Sequence, residues 1–251
     1  MTAGSIHSPA ATHRQPPAAE RARTIAARPH ASLHGAGVGV CQLWGATTTA
    51  AGDVLLVVPT DGAVTTALRQ SPLGDVPARL TVTDRTPFPL RHPVRGLVQL
   101  SGWVTPVDPW DVTRLVLEFA EAYPCDSLFD VGLSATLVRL DVAEVLLEEA
   151  GGSADVDVVD FVAARPDAVS VAEDDLITEQ CRPLSRLSAR VQHRVGRHDD
   201  VRLLGLDRFG VRFRVQSRYG CYDLRVPFES PLEGTAGFAN AVASLLTCEQ
   251  A

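Results

Sequence analysis

The chain has 251 residues, of which 45% are hydrophobic and 21% charged, with a formal net charge of −7. At roughly 150 residues per domain that is one large domain or two small ones, and the composition is that of a globular protein rather than a disordered one. No apolar run approaches the roughly 18 residues of a membrane span, and the N-terminus lacks the basic and apolar regions of a secretory signal.

All 23 cations are arginine, so Schiff-base and P-loop lysine chemistry is excluded. Cys41, Cys125, Cys181, Cys221 and Cys248 are widely spaced, with no Cys-x-x-Cys pair. They read as mostly buried thiols of a cytoplasmic protein, not as a disulfide framework or a zinc site.

Residues 1–18 are rich in Ala, Pro, Ser, Thr and His and read as a tail. A short helix is expected over 19–28, ended by Pro29. Strands follow at 38–44, 54–59, 78–84, 95–105 and 135–148, with a short helix at 62–70 and a proline-rich loop at 84–94. This spacing predicts a small antiparallel barrel with helical inserts. Gly35-Ala36-Gly37-Val38-Gly39 leads into a strand, not from a strand into a helix, so it is no dinucleotide fingerprint. One inserted helix has Asp108 as its expected N-cap, Pro109 at N1 and Asp111 at N3, with Val112, Leu115, Val116 and Phe119 on one face and Pro124 as its stop. Trp44, Trp103 and Trp110 are expected in the core or at a dimer contact.

Gly151-Gly152 marks a hinge or hairpin, and Arg165-Pro166-Asp167 a domain boundary. Ser170 and Glu173 have the spacing of a capping box. Leu176, Ile177, Leu184, Leu187, Val191 and Val195 then predict one face of a long helix that Pro183 kinks or breaks. Strands at 201–207, 211–217 and 221–227 and a helix over 235–247 complete a helix, three-stranded meander and helix. The expected fold is therefore α+β. A split-barrel domain covers 19–165 and a smaller α/β domain 166–251.

Charge is unevenly spread. Residues 141–179 carry twelve acids and one cation, whereas 182–225 carry eleven arginines and four acids. The two segments are expected either to pair with each other or to leave a site for an anionic or acidic partner. Strand 211–218 sharpens the question, because Val211, Phe213 and Val215 face one way and Arg212, Arg214 and Arg218 the other. These three arginines are the candidate partner-binding residues. General nucleic-acid binding is disfavoured by the net charge. His193, His198, Asp199 and Asp200 match no compact metal-ligand spacing and read as a helix end and turn.

Gly205-Leu206-Asp207-Arg208-Phe209-Gly210-Val211 and Leu224-Arg225-Val226-Pro227-Phe228 resemble the small α/β domain that closes the HugZ-type haem oxygenases. Glutamyl-tRNA-reductase-binding proteins carry a similar module. Residues 95–103, RGLVQLSGW, resemble a core strand of the split barrel that precedes it in actinobacterial members. The resemblance implies an FMN-binding-type split barrel that dimerises with a ligand pocket at the interface. It also implies haem or flavin as the cofactor class and tetrapyrrole metabolism as the setting.

The departures point away from catalysis. The family's histidine- and aspartate-bearing helix signature is replaced by Glu179-Gln180-Cys181-Arg182-Pro183-Leu184-Ser185-Arg186, and no His follows His198 to ligate haem from a C-terminal tail. Arg85, Arg91, His92 and Arg95 cluster in the stiff loop between two strands, where Arg forks suit a flavin phosphate or haem propionates. With Trp103 they are the candidate cofactor contacts, against the alternative of a solvated loop. His30, His34, His92 and Cys41 are the candidate haem ligands. The expected function is a non-catalytic, homodimeric binding or regulatory protein. The alternative is a haem- or flavin-dependent oxidoreductase using other residues.

Overall fold

The computed structural model describes residues 15–247 of the chain. The sequence tail up to residue 14 and Cys248 lie outside the described residues. Two compact units divide at Asp167/Ala168, and the fold is α+β, a curled antiparallel half-barrel in the first unit and a three-stranded meander in the second.

The first unit opens with α1 (Ala18–Ala26), followed by β1 (Ala31–Gly35), β2 (Gly39–Cys41), β3 (Gly45–Thr48) and β4 (Val54–Pro59). After α2 (Ala63–Gln70) come the long strands β5 (Val76–Arg85) and β6 (Val94–Pro106). Then come α3 (Val112–Ala122), a 3₁₀ turn (Asp126–Asp130), β7 (Ala135–Glu149), β8 (Gly152–Val156) and α4 (Val158–Ala163). The sheet runs β2-β1-β5-β6-β7-β4-β3, with β8 also paired to β7. Every strand pair is antiparallel.

Alternation drives this curl. Val76, Ala78, Leu80 and Val82 of β5, Val98, Leu100 and Val104 of β6, and Leu140, Val145 and Leu147 of β7 share one buried core with Ala22 and Ile25 of α1. Full burial of each such large side chain is worth about 1.5–3 kcal/mol. Strand β4 has no polar face at all. Val54, Leu56 and Val58 enter the main core, while Leu55 and Val57 enter a second cluster with Leu115 and Phe119 of α3 and Leu137 of β7. Thus α3 covers the outer face of β4 and the start of β7.

Several local expectations change. Of the predicted strand 38–44 only Gly39–Cys41 is strand (β2), and it pairs with β1 across a tight hairpin in which Gly37 and Gly39 both have positive φ. Strand β1, on the other side of that turn, was not among the expected strands. At Gly151-Gly152 the hairpin reading holds rather than the hinge, and the acidic stretch after it forms β8, an edge strand paired to β7. The helix expected from Asp108 begins at Val112, one turn later, because Pro109 and Trp110 close a turn from the Asp108 carbonyl to the Asp111 N–H. Asp108 Oδ1 instead accepts from the Trp110 N–H at 2.9 Å. Trp44 packs beside the α3 cluster, but Trp103 and Trp110 are exposed. Of the four described cysteines only Cys41 is buried.

The second unit comprises α5 (Ala168–Val171), α6 (Glu173–Glu179), α7 (Cys181–Gln192), β9 (Asp200–Asp207), β10 (Gly210–Ser217), β11 (Gly220–Pro227) and α8 (Phe238–Thr247). The expected long helix is three pieces. Its breaks lie at Ala172 and Gln180, and Pro183 sits in the first turn of α7, where its missing N–H costs nothing. Ser170 and Glu173 do not make a capping box. Ser170 Oγ donates to the Leu206 carbonyl at 2.7 Å, and the buried Glu173 carboxylate accepts from the Leu206 N–H at 2.7 Å. Both side chains are therefore spent on tying α5 and α6 to β9. Leu187, Val191, Val211, Phe213, Val215, Phe238 and Val242 form this unit's core. No helix among the described residues is long and apolar enough to cross a membrane.

Candidate binding groove on the outer sheet face

Where α3 stops, the outer face of β1, β5, β6 and β7 is not covered by any helix of this unit among the described residues. A shallow groove of about 730 Å3 lies there, and an adjoining hollow of about 480 Å3 extends it toward β8. Strand register builds the groove. Val40, His34, Arg79, Ser101 and Glu144 are successive cross-strand partners on β2, β1, β5, β6 and β7. Pro77, Trp103 and Asp141 form the next row, and Thr81, Gln99 and Leu146 the row on the other side. Side chains at directly opposed positions stand about 4.5–5.5 Å apart at Cβ, so each row is a continuous strip.

A β-bulge shapes the groove floor. Ser101 pairs with Glu144 but Gly102 pairs with Val142, so Ala143 is the extra residue. The bulge turns both Ala143 and Glu144 outward while Val142 packs on the core. Gly102 is required at this crossing: a Cβ there would lie 2.0 Å from the Asp141 carbonyl oxygen.

Arg79 is the groove's cation. Its Nε donates to Ser101 Oγ at 3.3 Å, a long and exposed hydrogen bond that leaves both Nη groups free. His34 stands beside it, exposed. Trp103, 46% exposed, gives an apolar wall together with Pro77 and Ala143. A planar ligand with an acidic edge meets a guanidinium fork, an aromatic face and an imidazole within three strand widths, about 14 Å.

The five candidate cofactor contacts from the sequence are not brought together. Trp103 lines the groove. Arg95 begins β6, eight residues away, which is about 26 Å along a strand. Its guanidinium is buried and donates to Asp84 at 2.6 Å, and Arg28 also pairs with Asp84 at 3.2 Å. Arg95 therefore serves the barrel's end rather than a ligand. Arg85, Arg91 and His92 are exposed at the β5–β6 loop. Among the candidate haem ligands only His34 lines the groove. His30 precedes β1, and Cys41 is buried with its Sγ 3.3 Å from the Gly39 carbonyl. Sequence reasoning missed Arg79, Ser101 and Glu144. The signal was available, since 79, 81 and 99, 101, 103 are the polar-face positions of two alternating strands.

The basic strand is also reorganised. Arg214 is 3% exposed, and its Nε and Nη2 reach Asp223 Oδ1 and Oδ2 at 2.7 and 2.9 Å. Arg225 pairs with Asp207, and Arg202 with Asp200 at 2.8 Å. Of the three arginines expected on an exposed face, Arg214 is therefore buried and neutralised within the unit. Three arginines of the basic segment thus meet acids of the same segment, and antiparallel register sets Asp223 opposite Arg214. Arg212 is half-buried, and Arg218 lies in the hairpin turn over the Tyr219 ring.

One further cation is fully buried. Arg23 donates to the carbonyls of Thr49 at 2.8 Å and Ala164 at 3.2 Å and stacks over Phe161. Burial first, and the neighbouring Arg165 second, lower its pKa to about 10. It cross-links α1, the loop after β3 and α4, and is closed off from solvent.

No protein-family model matches the chain, and no curated protein does. Its fold is similar to that of a haem-binding protein from Mycobacterium smegmatis, at a TM-score of 0.61 and 18% identity, over 93% of this chain and 98% of that one. A protein of unknown function from Agrobacterium tumefaciens aligns over 90% of this chain and 94% of its own at a TM-score of 0.43 and 16% identity. The first of these likenesses is one of fold.

Proposed function

We propose that the chain is a non-catalytic binding protein for a planar, anionic tetrapyrrole of the haem class, held on the outer sheet face. The observation that carries this reading is the convergence of Arg79, His34 and Trp103 on one groove of about 730 Å3, within the roughly 300–1,000 Å3 typical of small-molecule sites. The donor set fits the group. Arg79 has free N–H donors for a propionate, Trp103 offers an apolar plane, and His34 offers an imidazole nitrogen of the kind haem iron takes. The fold shared with a haem-binding protein supports the same reading.

The groove is shallow on this chain alone. A second copy laid against the bare face would cover Trp103 and the exposed Val40 and deepen it, so we propose a homodimer built through the barrel. Light scattering at micromolar concentration is expected to give twice the chain mass.

Titration of the purified protein with haemin tests the reading. The wild type is expected to saturate with a shifted Soret band. His34→Ala is expected to move the band's position, and His92→Ala to leave it unchanged. A preparation that carries a flavin spectrum instead, or haemin that titrates identically into all three proteins, would overturn it.

A further inference from the structure

The segment between β6 and β7, residues 107–134, presents a second surface that the groove does not use. It carries six acids and one cation, Arg114. Arg114 is spent locally, on Asp111 at 2.9 Å and Glu118 at 2.7 Å, and those two carboxylates raise its pKa. Asp108, Glu121, Asp126 and Asp130 remain exposed and pair with no cation among the described residues. Among these acids stand four large apolar side chains open to water: Trp110 at 94%, Phe129 at 85%, Leu133 at 78% and Leu117 at 62%.

Packing does not account for these four. The inward face of α3 is complete, with Leu115 and Phe119 buried against Leu55, Val57 and Leu137. Trp110 and Leu133 sit in turns whose backbone bonds are made without their side chains, from Trp110 N–H to Asp108 and from Leu133 N–H to the Asp130 carbonyl. Single exposed apolar residues are ordinary, but four within one segment, interspersed along it with exposed acids, have the composition of a docking face. Trp in particular is enriched where interfaces are strongest.

Charge selects the occupant. With six acids to one arginine, this face repels a second copy of itself, an anionic lipid surface and a nucleic acid. What complements it is a basic amphipathic segment, with Arg or Lys against the acids and apolar side chains against Trp110 and Phe129. We infer that the β6–β7 insertion docks a basic amphipathic helix of another protein. This face is separate from the tetrapyrrole groove, and its test needs no ligand there.

The probe is a synthetic amphipathic helical peptide with Leu on one face and Arg on the other, followed by fluorescence anisotropy. A peptide with every Leu replaced by Ser has equal charge and serves as the control. Binding of the Leu/Arg peptide to the wild type is expected to be saturable and weakened by salt. Trp110→Ser with Phe129→Ser, and separately Asp126→Arg with Asp130→Arg, are each expected to weaken it at least about tenfold. All four positions are exposed, so these variants are expected to melt with the wild type. Three results would overturn the inference: equal binding of the Ser control, undiminished binding by the variants, or self-association of the wild type that Trp110→Ser with Phe129→Ser abolishes. The last would make the face a contact between copies.

Discussion

Arg214→Glu is expected to destabilise the C-terminal unit by about 3–5 kcal/mol, the cost of breaking a buried ion pair and leaving a charge uncompensated. The substitution removes a two-pronged contact at 2.7 and 2.9 Å and sets a carboxylate against Asp223 in a site only 3% exposed. For a unit of this size the melting temperature should fall by roughly 10 °C or more. Arg212→Glu, two positions earlier on the same strand face, should change stability by less than about 0.5 kcal/mol. It is half-exposed and faces Arg225 across the strands, so the new carboxylate meets a cation. Thermal melts by circular dichroism check both. A variant with Arg214→Glu that melts like the wild type would contradict the buried pair.

The second large effect is expected at Gly102. A methyl group there must displace the Asp141 backbone, 2.0 Å away, which no side-chain adjustment can relieve. Gly102→Ala should cost about 3 kcal/mol, the upper range of overpacking, and should flatten the bulge that turns Ala143 and Glu144 outward. Gly74→Ala provides the contrast. Its Cβ would meet nothing within 4 Å, and only the positive φ of 73° opposes it. The expected cost there is about 1 kcal/mol. Urea midpoints that are equal for the two variants would remove the steric account of the groove floor.

The barrel was legible because its long strands alternate. Val76–Val82 and Val98–Val104 put apolar residues at every second position, and such a run reads as one half-buried strand however the sheet closes. Strands β1, β3 and β8 were not legible. They are four or five residues long, β8 lies in acidic sequence, and they acquire their pairing from β5, β4 and β7. The breaks in the predicted helix after Ser170 had a similar cause. Ser170 and Glu173 have capping spacing, but the backbone of Leu206, 33 residues beyond Glu173, claims both side chains.

The site was only partly legible for the same reason. A groove on a sheet face is assembled across strands, so its residues are far apart in sequence: His34, Arg79, Ser101, Trp103 and Glu144 share no local motif. Local clustering drew attention instead to Arg85, Arg91, His92 and Arg95. One of these, Arg95, is held by Asp84 inside the barrel's end. Likewise, alternation identified which arginines share a face of β10 but not that Asp223 lies opposite Arg214.

An anionic planar ligand across the β1-β5-β6-β7 face is expected to be anchored by Arg79 and not by the β5–β6 loop. Haemin titration of Arg79→Glu and Arg91→Glu, beside the wild type, tests it most directly. Both residues are exposed, so neither variant should lose stability. A charge-assisted hydrogen bond contributes about 1.5–3 kcal/mol, so Arg79→Glu is expected to weaken binding at least about tenfold, while Arg91→Glu binds like the wild type. If Arg91→Glu loses the Soret shift and Arg79→Glu keeps it, the ligand belongs to the loop and the groove assignment is wrong.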